Sequence, residues 1–261
     1  MPRCKTKAVV FDLDDTIGHF EQLSIFLQGL EHGLTGFQLK EKTFTKIINL
    51  FPEIFRPGII DSLKLLKKRK QRDKCLKVII YTNNTGHRSW TLRIKNYLES
   101  KIHSKIFDRI ITKYNRTSII NCRTTHEKTH SDLTRCTNLS KQAKILFLDD
   151  QHHPLMNHKN IQYIQLAPYN YYILPNIMIN RFLHSTIGKI IPKSEHKRFR
   201  LYMKKWMQSE RDYLIRKTII SRIDRHEKKR MLDEIKKFTT IHKQTRKFHK
   251  KKGKQTKRYY D

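Results

Sequence analysis

The sequence predicts an α/β fold with a doubly wound parallel sheet, and two observations support that prediction. Short apolar, β-branched runs recur along the chain, and stretches with helical spacing fill the intervals between them. Strands that are apolar on both faces and alternate with helices are typical of a parallel sheet covered by helices on each side. The five predicted strands are residues 8–13, 77–82, 107–112, 144–149 and 161–166.

Two long helical patterns lie between these strands. The run IIDSLKLLKKRK follows the turn signal Arg56-Pro57-Gly58, and SWTLRIKNYLES begins near Ser89, a residue type suited to a helix N-cap. Both helices are predicted to pack on the sheet.

An insertion, residues 17–55, separates the first predicted strand from the first long helix and shows helix-like apolar spacing. It leaves the strand at its carboxyl end, and in open α/β sheets ligands bind outside the carboxyl ends of the strands. Two interpretations of the insertion stay open, a lid over the site or a helical decoration with no gating role.

The charge of the chain is strongly basic and unevenly distributed. The 261 residues include 56 Lys and Arg against 23 Asp and Glu, a formal net charge of +33, which favours polyanionic partners. Residues 193–261 hold 25 of the basic residues and 8 of the acidic ones. We therefore predict a catalytic domain over residues 1–192 and a basic helical tail over residues 193–261. The tail either contacts nucleic acid or another phosphopolymer, or is a solvated extension.

The tail begins with the pattern of an amphipathic helix and ends without one. Apolar residues recur at i, i+3, i+4, i+7 and i+8 from Phe199 to Met207, so this helix is predicted to dock on another surface. Tyr202, Trp206 and Tyr213 are predicted to face that contact rather than to stack on bases. The final stretch, KFHKKKGKQTKRYYD, has no apolar period and is predicted to be disordered.

Cysteine usage and hydropathy predict an intracellular protein without a membrane span. Cys4, Cys75, Cys122 and Cys136 form no CxxC pair, and the N-terminal run MPRCKTK lacks the apolar stretch of a signal peptide. No stretch approaches the roughly 18–20 apolar residues that a membrane span needs. We therefore expect a reducing compartment, the cytoplasm or nucleus, while the oligomeric state stays open.

Paired carboxylates directly follow two of the predicted strands. Asp12 and Asp14 come at the end of the first strand, in DLDDT, and Asp149 and Asp150 end the fourth, in ILFLDD. Because the carboxyl ends of parallel strands meet at one edge of a sheet, these groups are predicted to share a pocket. One carboxylate can attack phosphorus while another moves protons, and Mg²⁺, which prefers oxygen ligands, offsets the charge.

Two further segments supply candidate phosphate-binding groups. Thr82 and Asn83 follow the second strand within TNNTG and offer hydroxyl and amide donors. Lys128 precedes the fourth strand and is predicted to neutralise charge on a bound phosphate. Lys141 and Lys144 compete with it for that role.

The motifs DLDDT, YTNN, EKTHSDL and FLDD resemble, in this order, the four motifs of the haloacid-dehalogenase-like (HAD) superfamily of phosphatases. The resemblance covers roughly residues 7–170 and implies a Mg²⁺-dependent phosphatase that forms an aspartyl-phosphate. It implies that Asp12 is the nucleophile and Asp14 the general acid and base. It also implies phosphate binding by Thr82, Asn83 and Lys128, and metal binding by Asp12, Asp149, Asp150 and the Asp14 carbonyl.

Within this superfamily, DLDDT, FRPG and LDD-x-x-x-P are most similar to the NLI-interacting-factor-like group. That group includes phosphatases of the RNA polymerase II C-terminal domain and has copies in large DNA viruses. The similarity implies phosphoserine in a protein tail as substrate, and a viral protein acting in a host cell or carried in the virion. The helical insertion departs from the short β-flap typical of the group, and Lys128 lies about one helical turn before the position that a strict alignment selects.

Other assignments fit the same residues less well. The run DLDDTIG lacks the glycine and the later carboxylate that an EF-hand requires. The run HEKTH at residues 126–130 matches the zinc-protease pattern HExxH, and its histidines with Cys122 and Cys136 have the residue types of a structural zinc site. Two alternative functions also stay open. The chain could be a non-catalytic HAD-fold protein that binds nucleic acid or associates with the virion, or a phosphatase of nucleic-acid ends or nucleotides.

Overall fold

A five-stranded parallel sheet lies at the centre of the computed structural model, which describes residues 6–84, 86, 88–114, 122–209 and 220–240. Each apolar run that predicts a strand overlaps one, and β1 and β2 begin one residue before the predicted runs. The strands are β1 (Lys7–Phe11), β2 (Leu76–Tyr81), β3 (Arg109–Ile111), β4 (Lys144–Asp149) and β5 (Ile161–Gln165).

The strand order brings the ends of three strands together. The order is β3-β2-β1-β4-β5, so β1 is central and pairs with β2 on one side and with β4 on the other. Phe11 pairs with Ile80 of β2 and with Leu148 of β4. The residues that follow these positions therefore emerge side by side, at the point in the sheet where ligands bind in open α/β folds.

Helices cover both faces of the sheet. Alternate residues of β1 point to opposite faces, so Val9 and Phe11 join one apolar cluster while Ala8 and Val10 join another. The result is a Rossmann-like α/β arrangement, as predicted. The helices are α1 (Glu21–Gly33), α2 (Glu41–Ile48), α3 (Ile59–Arg72), α4 (Arg88–Ile102), α5 (His130–Thr137), α6 (Pro175–Leu183), α7 (His196–Ser209) and α8 (Arg222–Phe238).

The insertion after β1 is helical, as its apolar spacing predicts. It consists of α1, α2 and a short 3-10 turn, Pro52–Ile54, and its phenylalanines except Phe37, which is partly buried, are buried in the larger apolar cluster. Phe26 makes edge contacts with Phe51 and with Phe182 of α6. One helix boundary differs from the prediction, because α4 begins at Arg88 and Ser89 therefore lies in its first turn rather than at its N-cap.

The C-terminal helices pack against the rest of the chain. In α7 the side chains of Phe199, Met203 and Met207 are buried, and the helix contacts α1 and α6, so the predicted docking of an amphipathic helix is confirmed. Trp206 donates its indole N–H to the carbonyl of Ile25 at 3.0 Å. Helix α8 packs on α3. Tyr213 and the predicted disordered tip lie outside the described residues.

No helix within the described ranges combines the length and the hydropathy that a membrane span requires.

Cys122 and Cys136 form a disulfide, which corrects two expectations. The alternative zinc site that would use both thiols is excluded by this bond, since their sulfur atoms are joined to each other. The bond also disagrees with the reducing compartment expected from the cysteine spacing, because disulfides persist in oxidising surroundings. The absence of a CxxC pair does not predict or exclude this bond, because the two cysteines are 14 residues apart and come together only when α5 forms.

We expect the Cys122→Ser, Cys136→Ser double variant to lose about 3 kcal/mol of unfolding free energy, since closing a loop of this length restricts the unfolded chain by that amount. Chemical denaturation of the wild-type protein and the variant, both without reductant, measures the difference. If the unfolding curves of the two proteins had equal midpoints and slopes, the bond would not form or would not stabilise the protein.

Candidate active site

The turn after β1 carries the first two predicted site residues. Asp12 directly follows the strand, is 6% exposed, and donates its backbone N–H to the Leu148 carbonyl at 2.9 Å. Asp15 adopts the left-handed region, with φ of 53°, and so reverses the chain. Its carboxylate lies 2.7 Å from the His19 ring nitrogen Nδ1. The reversal keeps the half-buried Asp14 at the same edge of the sheet as Asp12.

Arg56 holds this turn in place. Its side chain is 1% exposed, and it donates to the carbonyls of Thr16 and Asp15, each at 2.6 Å, and to that of Ala167 at 2.7 Å. Its guanidinium also lies 5.6 Å from the centre of the Tyr169 ring. The sequence indicates Arg56 only as part of a turn signal, and its contact with carbonyls far along the chain is a tertiary feature.

Lys128 bridges the two acidic motifs. Its ammonium Nζ donates to Asp12 Oδ1 at 2.5 Å and to Asp149 Oδ2 at 2.7 Å, and the lysine is 2% exposed. It immediately precedes Thr129, whose hydroxyl accepts the Asp132 N–H and so caps α5. The structure therefore brings the lysine of the third motif between the acids of the first and the fourth.

Three carboxylates form a group that can hold a metal ion. Asp12, Asp149 and Asp150 each offer an oxygen, and these oxygens lie within 4.8 Å of one another. Thr16 donates its hydroxyl to Asp150 at 3.0 Å and thereby orients it. Carboxylate oxygens at this spacing suit a hard divalent cation such as Mg²⁺. The fourth predicted ligand is the backbone carbonyl of Asp14; its carboxylate accepts the Asn84 side-chain N–H at 2.7 Å.

Burial and neighbouring charges give the two acids that contact Lys128 opposite pKa shifts. Burial raises the pKa of the Asp12 carboxyl to about 8; the nearby Asp149 adds to this effect and Lys128 partly opposes it. Burial also disfavours ionised Asp149. However, His153, whose Nε2 lies 3.4 Å from the Asp149 carboxylate, and the hydrogen-bonded Lys128 outweigh it and hold the pKa of Asp149 below its ordinary value. A cation beside Asp12 would favour its ionised form, which is the form that can attack.

The other two acids are also shifted towards the neutral form. Burial raises the pKa of Asp150 to about 6, with the hydrogen bond from Thr16 opposing the shift. Burial likewise raises the pKa of Asp14, and here the hydrogen bond from Asn84 opposes it. A carboxyl with a raised pKa is suited to giving and taking a proton near neutral pH.

The segment after β2 faces these acids across a small pocket. Thr82 and Asn83 line a cavity of about 270 Å³ together with Asp12, Asp14 and Lys128. The Thr82 hydroxyl accepts the N–H of Asn84 at 3.0 Å. The predicted phosphate-binding residues and the predicted catalytic acids therefore line one pocket.

Arg123 connects the two loops that border this pocket, and the sequence gives no signal for it. Its guanidinium donates to the Asn83 side-chain oxygen at 2.7 Å and to the carbonyls of His126 and Glu127 at 2.7 and 2.9 Å. It also lies over the Tyr81 ring, 5.0 Å from the centroid. The segment before Lys128 is thus fixed to the segment that carries Thr82 and Asn83.

The competing lysines lie away from the site. Lys144 is the first residue of β4 and donates to Asn160, while Asp149 is the last residue of that strand. Lys141 is exposed, and its carbonyl accepts the side-chain N–H of the same Asn160. Both lysines therefore sit at the amino end of β4, about 16 Å from its carboxyl end at 3.3 Å per residue.

The HExxH alternative is not supported by the backbone. Residues 124–127 form bends, and α5 begins only at His130, so His126 and His130 do not share a helical face. His130 instead stacks on His158 with ring centres 3.8 Å apart. Within the described residues, the acidic group around Asp12 is the metal-binding arrangement found.

His153 corrects a further expectation. The pair His152-His153 is predicted to lie on a surface loop, and His152 is exposed. His153, however, is 5% exposed, and its Nε2 lies 3.4 Å from Asp149 Oδ2. Its backbone N–H donates to the Tyr163 hydroxyl, which turns the ring towards the acidic group.

No protein-family model matches this chain, and no significantly similar protein is found among curated proteins. The geometry of the site therefore carries the functional argument.

Proposed function

We propose that the protein is a Mg²⁺-dependent phosphatase that hydrolyses phosphomonoesters through an aspartyl-phosphate on Asp12. One observation carries the proposal. Acids from the ends of β1 and β4 lie within 4.8 Å of one another, beside a buried lysine and a threonine from the end of β2, around one pocket. Groups suited to act as nucleophile, as metal ligands, as a neutralising cation and as a hydrogen-bond donor to the phosphate therefore lie around one pocket.

The reaction assigns a separate role to each acid of the first motif. A carboxylate oxygen of Asp12 attacks phosphorus, and the bond from phosphorus to the leaving-group oxygen breaks as Asp14 donates its proton to that oxygen. Asp14, now ionised, takes a proton from water, which attacks the aspartyl-phosphate. Inorganic phosphate leaves, and the Asp12 carboxylate is restored.

The remaining residues bind and neutralise the phosphoryl group. Lys128 is placed to balance charge next to Asp12, while Thr82 and Asn83 line the same pocket and offer hydroxyl and amide donors. A Mg²⁺ ion held by Asp12, Asp149 and Asp150 would supply positive charge for the transferring group. Thr16 and His153 orient two of these ligands from outside the metal group.

The four motifs and their place in the fold also support membership of the HAD superfamily as a proposal. The motif that contains Asp12 ends the central strand, and the motif that contains Asp149 ends the strand beside it. The third motif supplies Lys128 just before α5. On the resemblance to the NLI-interacting-factor-like group we further propose phosphoserine in a protein chain as substrate, and a viral origin for the protein.

Hydrolysis of p-nitrophenyl phosphate by the purified full chain tests the proposal. We expect turnover with Mg²⁺, loss of turnover on adding a chelator, and recovery when Mg²⁺ is restored in excess, since the three ligand acids are carboxylates. Release of p-nitrophenolate is the measurement. A folded protein that shows no turnover with Mg²⁺ or Mn²⁺ would refute phosphatase activity and favour the non-catalytic alternative.

A further inference from the structure

A groove larger than the catalytic pocket lies between the insertion helix α1 and helix α4. Its volume is about 550 Å³, and it shares Asp14, Asp15 and Asn84 with the catalytic pocket. A group bound in the groove would therefore adjoin the acid that protonates the leaving group. The groove is placed to receive the part of a substrate that leaves with the oxygen atom.

The lining of this groove carries an excess of negative charge. Glu21 and Glu31 of α1 contribute two carboxylates, and Asp15 at the catalytic end contributes a third, which lies 2.7 Å from His19. Asp14 also lies at that end, but it is the proposed proton donor and is not counted as a charge. Arg93 is the only Lys or Arg among the described residues that line the groove, and it is engaged elsewhere. It donates to the Leu39 carbonyl at 2.7 Å and lies 3.8 Å from the Glu41 carboxylate.

The part of the chain that forms one wall of the groove also lacks basic residues. Residues 8–39 contain five Asp and Glu and no Lys or Arg, whereas the chain-average frequency would place about seven basic residues in a stretch of this length. This stretch holds β1 apart from its first residue, Lys7, together with the catalytic turn and all of α1. The wall of the groove is therefore acidic in a protein whose net charge is +33.

We propose that this groove selects a phosphopeptide that carries a Lys or Arg close to the phosphorylated residue. The inference rests on the proposed phosphatase function, and charge complementarity carries it. Glu21 and Glu31 are separated by about 15 Å along α1. An extended peptide covers that distance in about four residues, so the two glutamates can contact basic residues about four positions apart in one peptide.

The apolar part of the lining fits the same occupant. Phe20, Leu27, Leu39 and Trp90 lie among the acidic residues, and the methylene stem of a lysine or arginine can rest on such a surface while its charge meets a carboxylate. A nucleotide or a nucleic-acid end would instead bring further phosphates next to Glu21 and Glu31. The groove therefore opposes polyanionic leaving groups, although the net charge of the protein attracts polyanions.

Peptide binding tests the proposal without requiring turnover. Two fluorescent phosphoserine peptides, identical except for Lys or Glu at two flanking positions, are titrated with the full-length Asp12→Asn protein in Mg²⁺ and followed by anisotropy. We expect the Lys peptide to bind about three- to tenfold more tightly, from exposed pairs with the groove acids. Net charge alone predicts the opposite order.

Two charge-reversal variants distinguish the contribution of the groove to peptide binding from that of the rest of the protein surface. Glu31→Lys is expected to abolish or reverse the preference for the Lys peptide. Glu195→Lys makes the same change on an exposed residue outside the groove and is expected to retain it. Tighter binding of the Glu peptide by the protein with neither reversal, or equal effects of the two variants, would overturn the proposal. Hydrolysis of p-nitrophenyl phosphate reports on the phosphatase function separately, so failure of one inference is distinguishable from failure of the other.

Discussion

Replacing Asp12 by asparagine is expected to lower kcat for p-nitrophenyl phosphate at least about 10⁴-fold, as loss of an attacking group does in other enzymes. The amide is close to the carboxyl in size but cannot attack phosphorus. The fold is expected to persist, because burial already raises the pKa of Asp12 to about 8 and the neutral side chain is therefore tolerated at this position. Thermal unfolding and turnover in Mg²⁺ measure the two effects.

Asp61→Asn is the matched control for this prediction. It makes the same chemical change in an exposed side chain of α3, which contacts Lys228 at 3.3 Å, and is expected to leave turnover near the wild-type rate. If the Asp12 variant retained more than about 1% of the activity, far above the loss expected for a nucleophile, another residue would have to attack the substrate.

Replacing Lys128 by methionine is expected to lower the unfolding free energy by about 3 kcal/mol in the absence of divalent metal, because it leaves buried acids without their cation. Lys128 contacts both Asp12 and Asp149 and is 2% exposed, so water cannot take its place easily. Mg²⁺ at about 100 times its dissociation constant is expected to recover about 2.7 kcal/mol through binding to the folded state. Denaturant unfolding with and without Mg²⁺ measures both values.

Lys144→Met is the matched control, because Lys144 is exposed at the far end of β4. A surface substitution of this kind is expected to change stability by less than about 0.5 kcal/mol. Equal losses in the two variants would show that Lys128 does not bridge the acids. The same two variants also test which lysine binds the phosphate, since only the Lys128 variant is expected to lose turnover as well.

The strands and the acidic motifs were predictable from the sequence because their signals are local. A buried strand such as β4 is a short apolar run, and the position of Asp149 at its end is visible in the run itself. The meeting of Asp12 with Asp149 follows once the two strands are assumed to be parallel neighbours. The helical insertion and the docked face of α7 were likewise visible, because each repeats apolar residues at helical spacing.

What only the tertiary structure decided are contacts between residues far apart in the chain. Arg56 reaches the Ala167 carbonyl, Arg123 reaches the Asn83 side chain, and His153 turns inward because Tyr163 holds its backbone. Arginine is mostly exposed in proteins and histidine is intermediate, so composition and periodicity do not indicate that these side chains are buried.

The sequence by itself determined the parallel sheet, the helices over it and the acids at the strand ends, because hydrophobic periodicity and strand termination act over a few residues. The fold alone decided that Lys128 lies between Asp12 and Asp149, that Cys122 bonds to Cys136, and that an acidic groove adjoins the site. Each of these three features depends on how the loops close across the sheet. Long-range packing fixes loop closure, and local sequence patterns do not predict it.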